Sequence, residues 1–238
     1  MEASFWTPWK PRCGIKNKAA GLSGRSCSER STPVAEEPLL NVPLPADPSV
    51  FCQQTLGIEL DSWQADFIDS LDSRKVLLAA RQCGKSTAVA ALAVHGILQS
   101  ADYKVVIVAA SARQSALFLD KCKWILHKLG FGRLLRAGVN ANSLRLRNGS
   151  TIIALPCVAK TIRGFTANLL VIDEAAYVPD VVYGAARPML TATNGNLVIM
   201  STAGEPLGFF WKAVAGVSGV EWLVVVVPAS KITRFDAE

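Results

Sequence analysis

Apolar positions along the chain fall into two patterns, short continuous runs and longer stretches with helical spacing. Val76–Ala80, Tyr103–Ala110, Leu169–Ile172, Leu197–Met200 and Trp222–Val227 are Val-, Ile- and Leu-rich runs of strand length. Between them the spacing turns helical. Val50, Phe51 and Leu56, then Trp63, Phe67, Ile68 and Leu71, mark two helical pieces within Ser49–Leu71, the second capped by Asp61 or Ser62. Ala88–Leu98 is an Ala/Val-rich helix. Ser111 caps a long one running to about Leu129, with Ala116, Leu117, Leu119, Trp124, Ile125 and Leu129 on its apolar side and Gly130 as a stop. Asp180–Leu190 and Phe209–Val217 complete the set. Strands alternating with helices predict an α/β fold with a mostly parallel sheet flanked by helices on both faces.

Two stretches depart from that rhythm. Ser143–Leu155 reads as a hairpin insertion, Leu144–Arg147 and Thr151–Leu155 around a two-residue Asn148-Gly149 turn. Its Arg145 and Arg147 alternate onto one face, which either meets a phosphate backbone or is the wet side of an edge hairpin. Residues 1–48 are rich in Pro, Ser, Gly and charge and predict a disordered, flexible arm whose second half is stiffened by Pro33, Pro38, Pro43, Pro45 and Pro48. Residues 49–238 then form one domain, with no convincing terminal element over Ile232–Glu238.

Composition changes this picture little. Half of the 238 residues are hydrophobic, enough for a sizeable core, yet no run approaches the roughly 20 apolar residues of a membrane span, so no membrane partner is expected. No signal-peptide pattern opens the chain, and a cytoplasmic protein is the expectation. The net charge of +6 invites a nucleic-acid reading, but residues 1–33 hold six Lys/Arg against two acids, a net +4, leaving +2 for the rest. Such an arm either touches nucleic acid or is simply solvated. The six cysteines (Cys13, Cys27, Cys52, Cys83, Cys122 and Cys157) show no C-x-x-C pair and are read as reduced, small apolar residues. His95 and His127 fall in helical patterns without metal-ligand spacing.

The chemistry concentrates at strand ends. The first run turns through Arg81-Gln82-Cys83-Gly84 into Lys85-Ser86-Thr87, which opens the next helix. Strand, tight turn and Gly-Lys-Ser is the arrangement of a phosphate-binding loop, in which backbone N–H groups and the helix end face the anion, Lys85 reaches the β/γ-phosphates and Ser86 holds Mg²⁺. The pattern G-x-x-x-x-G-K-[ST] wants glycine at position 79, where this chain has Ala79. About ninety residues on, the Leu169–Ile172 run ends in Asp173-Glu174, two carboxylates that are costly at a buried strand end unless a cation is near. In an open parallel sheet that end lies beside the phosphate loop. Asp173 then serves the metal with Ser86, and Glu174 orients and deprotonates the attacking water. Arg81 and Arg163 are the candidates for positive charge at the γ-phosphate, unless a neighbouring subunit supplies it. A third strand ends in Ser201-Thr202, hydroxyls placed to sense loss of the γ-phosphate. Gln64, some twenty residues before the loop, either reads an adenine edge with its amide or is an ordinary solvated glutamine. The expected ligands are ATP and Mg²⁺, and the expected activity is ATP hydrolysis.

These residues resemble the large terminase subunit of tailed bacteriophages, over roughly residues 45–238. The likeness rests on Trp63-Gln64, Ala80–Thr87, Val108–Gln114, Thr161–Phe165, Leu170–Tyr177 with its Asp173-Glu174-Ala175-Ala176-Tyr177 run, and Ser201–Gly204 followed by Gly208-Phe209-Phe210. An arginine-bearing phosphate loop is usual in that family, which accommodates Ala79. The resemblance implies a RecA-like P-loop sheet of ASCE type in which the Ser201 strand lies between the loop strand and the Asp173 strand. It implies that Gln64 contacts adenine, that Arg81, Gln82, Cys83, Gly84, Lys85, Ser86 and Thr87 cradle the phosphates, and that Arg81 stabilises charge. It further implies that Ser201-Thr202-Ala203 couples hydrolysis to motion. The implied partners are double-stranded DNA, a small terminase subunit, a portal protein and other copies in a homo-oligomeric ring, in the bacterial host cytoplasm. Family members usually continue into a nuclease domain with clustered acids; none is seen here, so ATPase without nuclease activity is expected. A helicase-like translocase is the alternative, although Ala176 stands where such proteins more often carry His or Asp. A nucleotide-binding remnant without turnover is the other.

Overall fold

The computed structural model describes residues 44–131 and 142–232. Its centre is a seven-stranded sheet made of β1 (Arg74–Ala79), β2 (Lys104–Ala109), β3 (Ser143–Arg145), β4 (Thr151–Leu155), β5 (Leu169–Asp173), β6 (Asn196–Ser201) and β7 (Leu223–Val227). The strands lie in the order β3-β4-β2-β5-β6-β1-β7, and every pairing is parallel except β3 with β4. The strand that ends in Ser201 therefore sits between the loop strand and the Asp173 strand, as the resemblance implies. Central parallel strands are covered on both faces, which is why β2, β5 and β6 read as unbroken apolar runs.

The two faces are packed by different helices. On one side, Leu77, Val105, Ile107, Val171, Val198 and Met200 meet α2 (Ser62–Asp69), α3 (Lys85–Gln99) and α4 (Ala112–Lys128). On the other, Val76, Val106, Leu170, Ile172 and Ile199 meet α5 (Ala159–Ile162), α6 (Asp180–Ala186) and α7 (Gly208–Val214). A short helical segment, α1 (Pro48–Val50), continues through a wider turn over Phe51–Thr55 before α2. The disordered arm predicted over 1–48 lies almost wholly outside the described residues.

Several expectations are corrected in detail. The helix predicted from Ser111 forms, with Ser111 as its cap and Gly130 at φ +75°, but its buried face is Ser115, Phe118, Leu119, Cys122, Ile125 and Leu126. Leu117 and Trp124 point outward, about half exposed. The spacing i, i+3, i+4, i+7 fits either stripe, and contact with α3 and β4 selected the one containing Cys122. Leu71 lies beyond the end of α2 and is fully exposed. The hairpin is the outer edge of the main sheet, because β4 pairs in parallel with β2. Its connection has three residues. Leu146 N–H donates to the Ser150 carbonyl, and Gly149, at φ +84°, closes the loop where a two-residue turn was expected. Asn148 is what drives this, since its amide donates to the carbonyls of Ile97 and Ser100 at the end of α3. Arg145 and Arg147 are both exposed. Among the described residues Cys52, Cys122 and Cys157 form no disulfide, Cys83 is buried, and His95 bonds the Pro45 carbonyl at 2.9 Å.

Candidate active site

Register brings the motifs together. Leu78 pairs with Ser201, Asp173 with Met200 and Ala109 with Asp173, so the carboxyl ends of β1, β2, β5 and β6 finish at one level. The loop after β1 reaches positive φ at Gln82 (+59°) and Gly84 (+82°). Gly84 is the N-cap of α3 and its carbonyl accepts from the amides of Thr87 and Ala88, while the amides of Gly84, Lys85 and Ser86 precede the first helical acceptor. These amides and the positive end of a fifteen-residue helix form an anion-binding concavity.

The structure also explains Ala79. It lies within β1, opposite Val227, away from the two residues with φ above zero, and its methyl is buried in the core. A glycine there relieves nothing. Ala79→Gly is expected to leave nucleotide affinity within about twofold and to lower stability by about 0.5–1 kcal/mol, read from a urea melt and a titration with ADP; a tenfold gain in affinity would show that the loop does need glycine at that position.

Glu174 is the hub of the site. It adopts the left-handed conformation (φ +50°, ψ +46°), uncommon for glutamate and maintained only where the surroundings enforce it. Its Oε1 lies 3.1 Å from Lys85 Nζ, with both side chains largely buried. Its Oε2 accepts from Ser201 Oγ at 3.2 Å, Thr202 N–H at 3.3 Å and Thr202 Oγ1 at 3.2 Å. Burial pushes this carboxyl up, but Lys85 and the donors of Ser201 and Thr202 outweigh it and hold it below the usual range. Asp173 behaves oppositely. Burial first, and then the Glu174 charge, push it up to about 6 against the pull of Lys85 and the Glu174 amide, which donates to its Oδ1 at 2.9 Å.

Two clefts open on this cluster. One of about 330 Å³ is lined by Arg81, Gln82, Lys85, Glu174 and Thr202, with Gln114 and Tyr177 added. The other, about 570 Å³, has Ser86, Thr87, Asp173 and Glu174 at one end and Leu117, Phe118 and Trp124 of α4 along its wall. Of the site residues read from the sequence, Arg81, Gln82, Lys85, Ser86, Thr87, Asp173, Glu174 and Thr202 line these clefts, Gly84 caps α3 and Ser201 is buried against Glu174, and three others lie apart. Arg163 is exposed and lines neither cleft. Cys83 is buried beneath the loop. Gln64 is buried behind it, where Nε2 donates to the Cys83 carbonyl at 2.9 Å and Oε1 accepts from the Asp61 amide at 2.9 Å in a capping box. In this structure both ends of the Gln64 amide are engaged, one bracing the loop and one starting α2.

The sequence from residue 76 to 216, more than half of the chain, matches the model of the family described as terminase large subunit, T4likevirus-type, N-terminal. The chain belongs to that family. Solved structures agree in fold. The large terminase ATPase domain of Thermus phage P74-26 superposes with a TM-score of 0.69 at 18% identity, covering 80% of this chain and 90% of that one. The large terminase of bacteriophage HK97 gives 0.60 at 19% identity over 71% of this chain and 39% of its own. A large terminase from a thermophilic bacteriophage, solved with ADP, gives 0.55 at 13% identity over 71% of this chain and 45% of its own. The chain therefore spans less than half the length of these last two terminases.

Gln114 and Tyr177 stand in motifs that carry the resemblance, but sequence reading gave them no role, and both line the smaller cleft. Gln114 carries a local signal, three residues after Ser111 in a capping pattern, and Ser111 Oγ donates to its Oε1 at 3.0 Å. No local pattern announces where Tyr177 points.

Asp173 and Ser86 share a cleft wall. Among the described residues the Asp173 carboxylate takes its hydrogen bond from the Glu174 amide, which leaves most of its oxygen lone pairs unused. One carboxylate, one hydroxyl and room for phosphate oxygens fit Mg²⁺, which keeps water and rarely takes an all-protein cage. Among the described residues there is no cluster of three or more His, Cys, Asp or Glu to suit a caged metal. The carboxylate is therefore a liability without a cation. Its folded-state carboxyl is raised, so stability falls as pH rises from the ordinary value of 3.8 through about 6, and the full cost is present at neutral pH. Asp173→Asn is expected to stabilise the nucleotide-free protein by about 2–3 kcal/mol at pH 7.5 and by little at pH 4, measured by urea denaturation. An unchanged or lowered midpoint at pH 7.5 would refute this electrostatic account.

Proposed function

We propose that this chain hydrolyses ATP with Mg²⁺ and is the motor part of a machine that drives double-stranded DNA into a phage procapsid. One observation carries the hydrolytic reading: Lys85 and Glu174, distant in sequence, meet at 3.1 Å above the phosphate-loop amides. ATP enters with its phosphates against those amides and takes Lys85 as counter-charge. Glu174 then loses the cation that did most to offset its burial, and its affinity for a proton rises from the lowered wild-type position even with the Ser201 and Thr202 donors in place. A carboxylate freed in this way is a better base toward a water in line with the γ-phosphate. Ser201 and Thr202 keep it aimed throughout. Ser86 and Asp173 would hold Mg²⁺, which would supply charge neutralisation at the phosphates.

Arg81 supplies positive charge in cis from the smaller cleft. Arg163 is exposed outside both clefts and is better placed to act on another copy, consistent with a homo-oligomeric ring. The thermophilic-phage terminase solved with ATP-γ-S, at a TM-score of 0.57 and 11% identity, supports the choice of nucleotide. Family membership supports DNA, a small terminase subunit and a portal protein as partners, and the host cytoplasm as the place of action. No helix among the described residues is long and apolar enough to cross a membrane. Phosphate release from ATP by the purified chain, with Mg²⁺ or with excess chelator and with or without linear duplex DNA, tests the proposal. Magnesium-dependent turnover accelerated by duplex DNA is expected; strand separation by the chain alone would indicate a helicase-like translocase, and no turnover under any condition would reject the enzyme.

A further inference from the structure

Two motifs that read as separate in the sequence are joined along their length. Residues 174–183 and 201–209 run side by side beyond the ends of β5 and β6, and they touch at successive points. Glu174 takes hydrogen bonds from Ser201 and Thr202. Tyr177 Oη donates to the Ala203 carbonyl at 3.2 Å. Ala176 packs so closely on Gly204 that a Cβ at 204 would stand 2.8 Å from the Ala176 methyl. Asp180 Oδ1 then accepts from the Phe209 amide at 2.8 Å, starting α7, and the rings of Tyr183 and Phe209 stack at 4.1 Å. The chemistry at Glu174 uses only the first of these contacts.

From this geometry we infer that Tyr177 is a positioning residue, whose hydroxyl clasps the turn after Glu174 to the loop after β6 and so keeps the carboxylate on Thr202. The inference rests on the hydrolytic reading of Glu174 given above. Its physical basis is the left-handed backbone at Glu174. A residue in that conformation relaxes unless it is held on both sides. Lys85, Ser201 and Thr202 hold the side chain, and on the other side the single turn Ala175–Tyr177 is anchored to the β6 loop by the phenol. Tyr177 is half exposed and lines the smaller cleft, so its ring contributes less to the core than the buried Phe209 and Phe210 do. Its hydroxyl is the polar contact that ties the ring to the β6 loop, beside the packing of Ala176 on Gly204. The clasp also gives a route from the site to α7, because the loop it grips leads directly into Gly208 and the Asp180–Phe209 contact.

The test is Tyr177→Phe in the full chain, followed by two independent readouts. ATP turnover is expected to fall about tenfold in kcat, with KM for ATP and affinity for ADP within twofold, because a base displaced by a fraction of an ångström loses rate without losing binding. Hydrogen exchange at the Thr202 amide, which donates to Glu174, is expected to quicken at least tenfold. Gly204→Ala, which forces the same two segments apart through the Ala176 methyl, should reproduce both changes. Unchanged kcat together with unchanged Thr202 exchange overturns the clasp. A loss of ADP affinity matching the loss of kcat also overturns it, since Tyr177 would then be touching nucleotide. If the wild-type chain turns over no ATP, the hydrolytic reading fails on its own, and the exchange rate of Thr202 still decides whether Tyr177 holds that carboxylate.

Discussion

Glu174→Gln is expected to lower ATP turnover by about a thousandfold while leaving ADP affinity within a few-fold of wild type. Glutamine keeps the shape of the side chain and can still accept from Ser201 and Thr202 through its amide oxygen, so the left-handed turn has no reason to collapse. It cannot take a proton from water. It also releases Lys85 from its 3.1 Å ion pair, which leaves the lysine free for phosphate and favours nucleotide binding. Binding and hydrolysis should therefore separate in this variant more widely than in any other. Phosphate release under saturating ATP, with calorimetric titration of ADP, measures both. Turnover above about one tenth of wild type would remove Glu174 from the role of base.

Lys85→Met has the second largest expected effect, and it acts on binding and on stability together. Losing a charge-assisted contact to phosphate lowers nucleotide affinity by about 10- to 100-fold. The nucleotide-free protein suffers as well, since a largely buried Glu174 loses its cation. With the wild-type pair intact the Glu174 carboxyl is lowered, so its contribution to stability is present above the ordinary value of 4.5 and is lost as pH falls below it. In Lys85→Met only the Ser201 and Thr202 donors still oppose burial, so the carboxyl moves up from its wild-type position and the stability it contributes above 4.5 shrinks. A cost of about 1–3 kcal/mol at pH 7.5 is expected, less than for a fully buried pair because Glu174 keeps some solvent contact. Adding Glu174→Gln to Lys85→Met should recover much of that loss. A double variant no more stable than Lys85→Met would show that the stranded charge is not the cause.

The elements were mostly legible because their physics is local. Unbroken apolar runs gave the buried strands, and Gly84-Lys85-Ser86 at a strand-to-helix junction gave the phosphate loop. Where two local solutions were equivalent, the chain alone did not choose. The face of α4 is such a case, with Leu117 and Trp124 in one apolar stripe and Phe118 and Cys122 in the other. The hairpin turn is another. Asn148-Gly149 favours a two-residue turn in isolation, but bonds from Asn148 to the end of α3, some fifty residues away, impose a three-residue loop. Gln64 shows the limit from the other side. Its spacing to the loop is visible in the sequence, yet only the packing of α2 behind Cys83 shows its amide bracing the loop backbone.

Residue order was sufficient to place Lys85, Asp173, Glu174, Ser201 and Thr202 at strand ends, since a parallel sheet of buried runs delivers its polar ends to one edge. It was sufficient, too, to reveal the terminase kinship. Distances across the sheet are another matter, because neighbours in the order β5-β6-β1 are separated by tens of residues in the chain. Only folding brings Lys85 onto Glu174, turns Thr202 into a donor for Glu174, and lays Tyr177 against Ala203. Local composition sets which groups a strand end carries, and long-range register sets which of them meet.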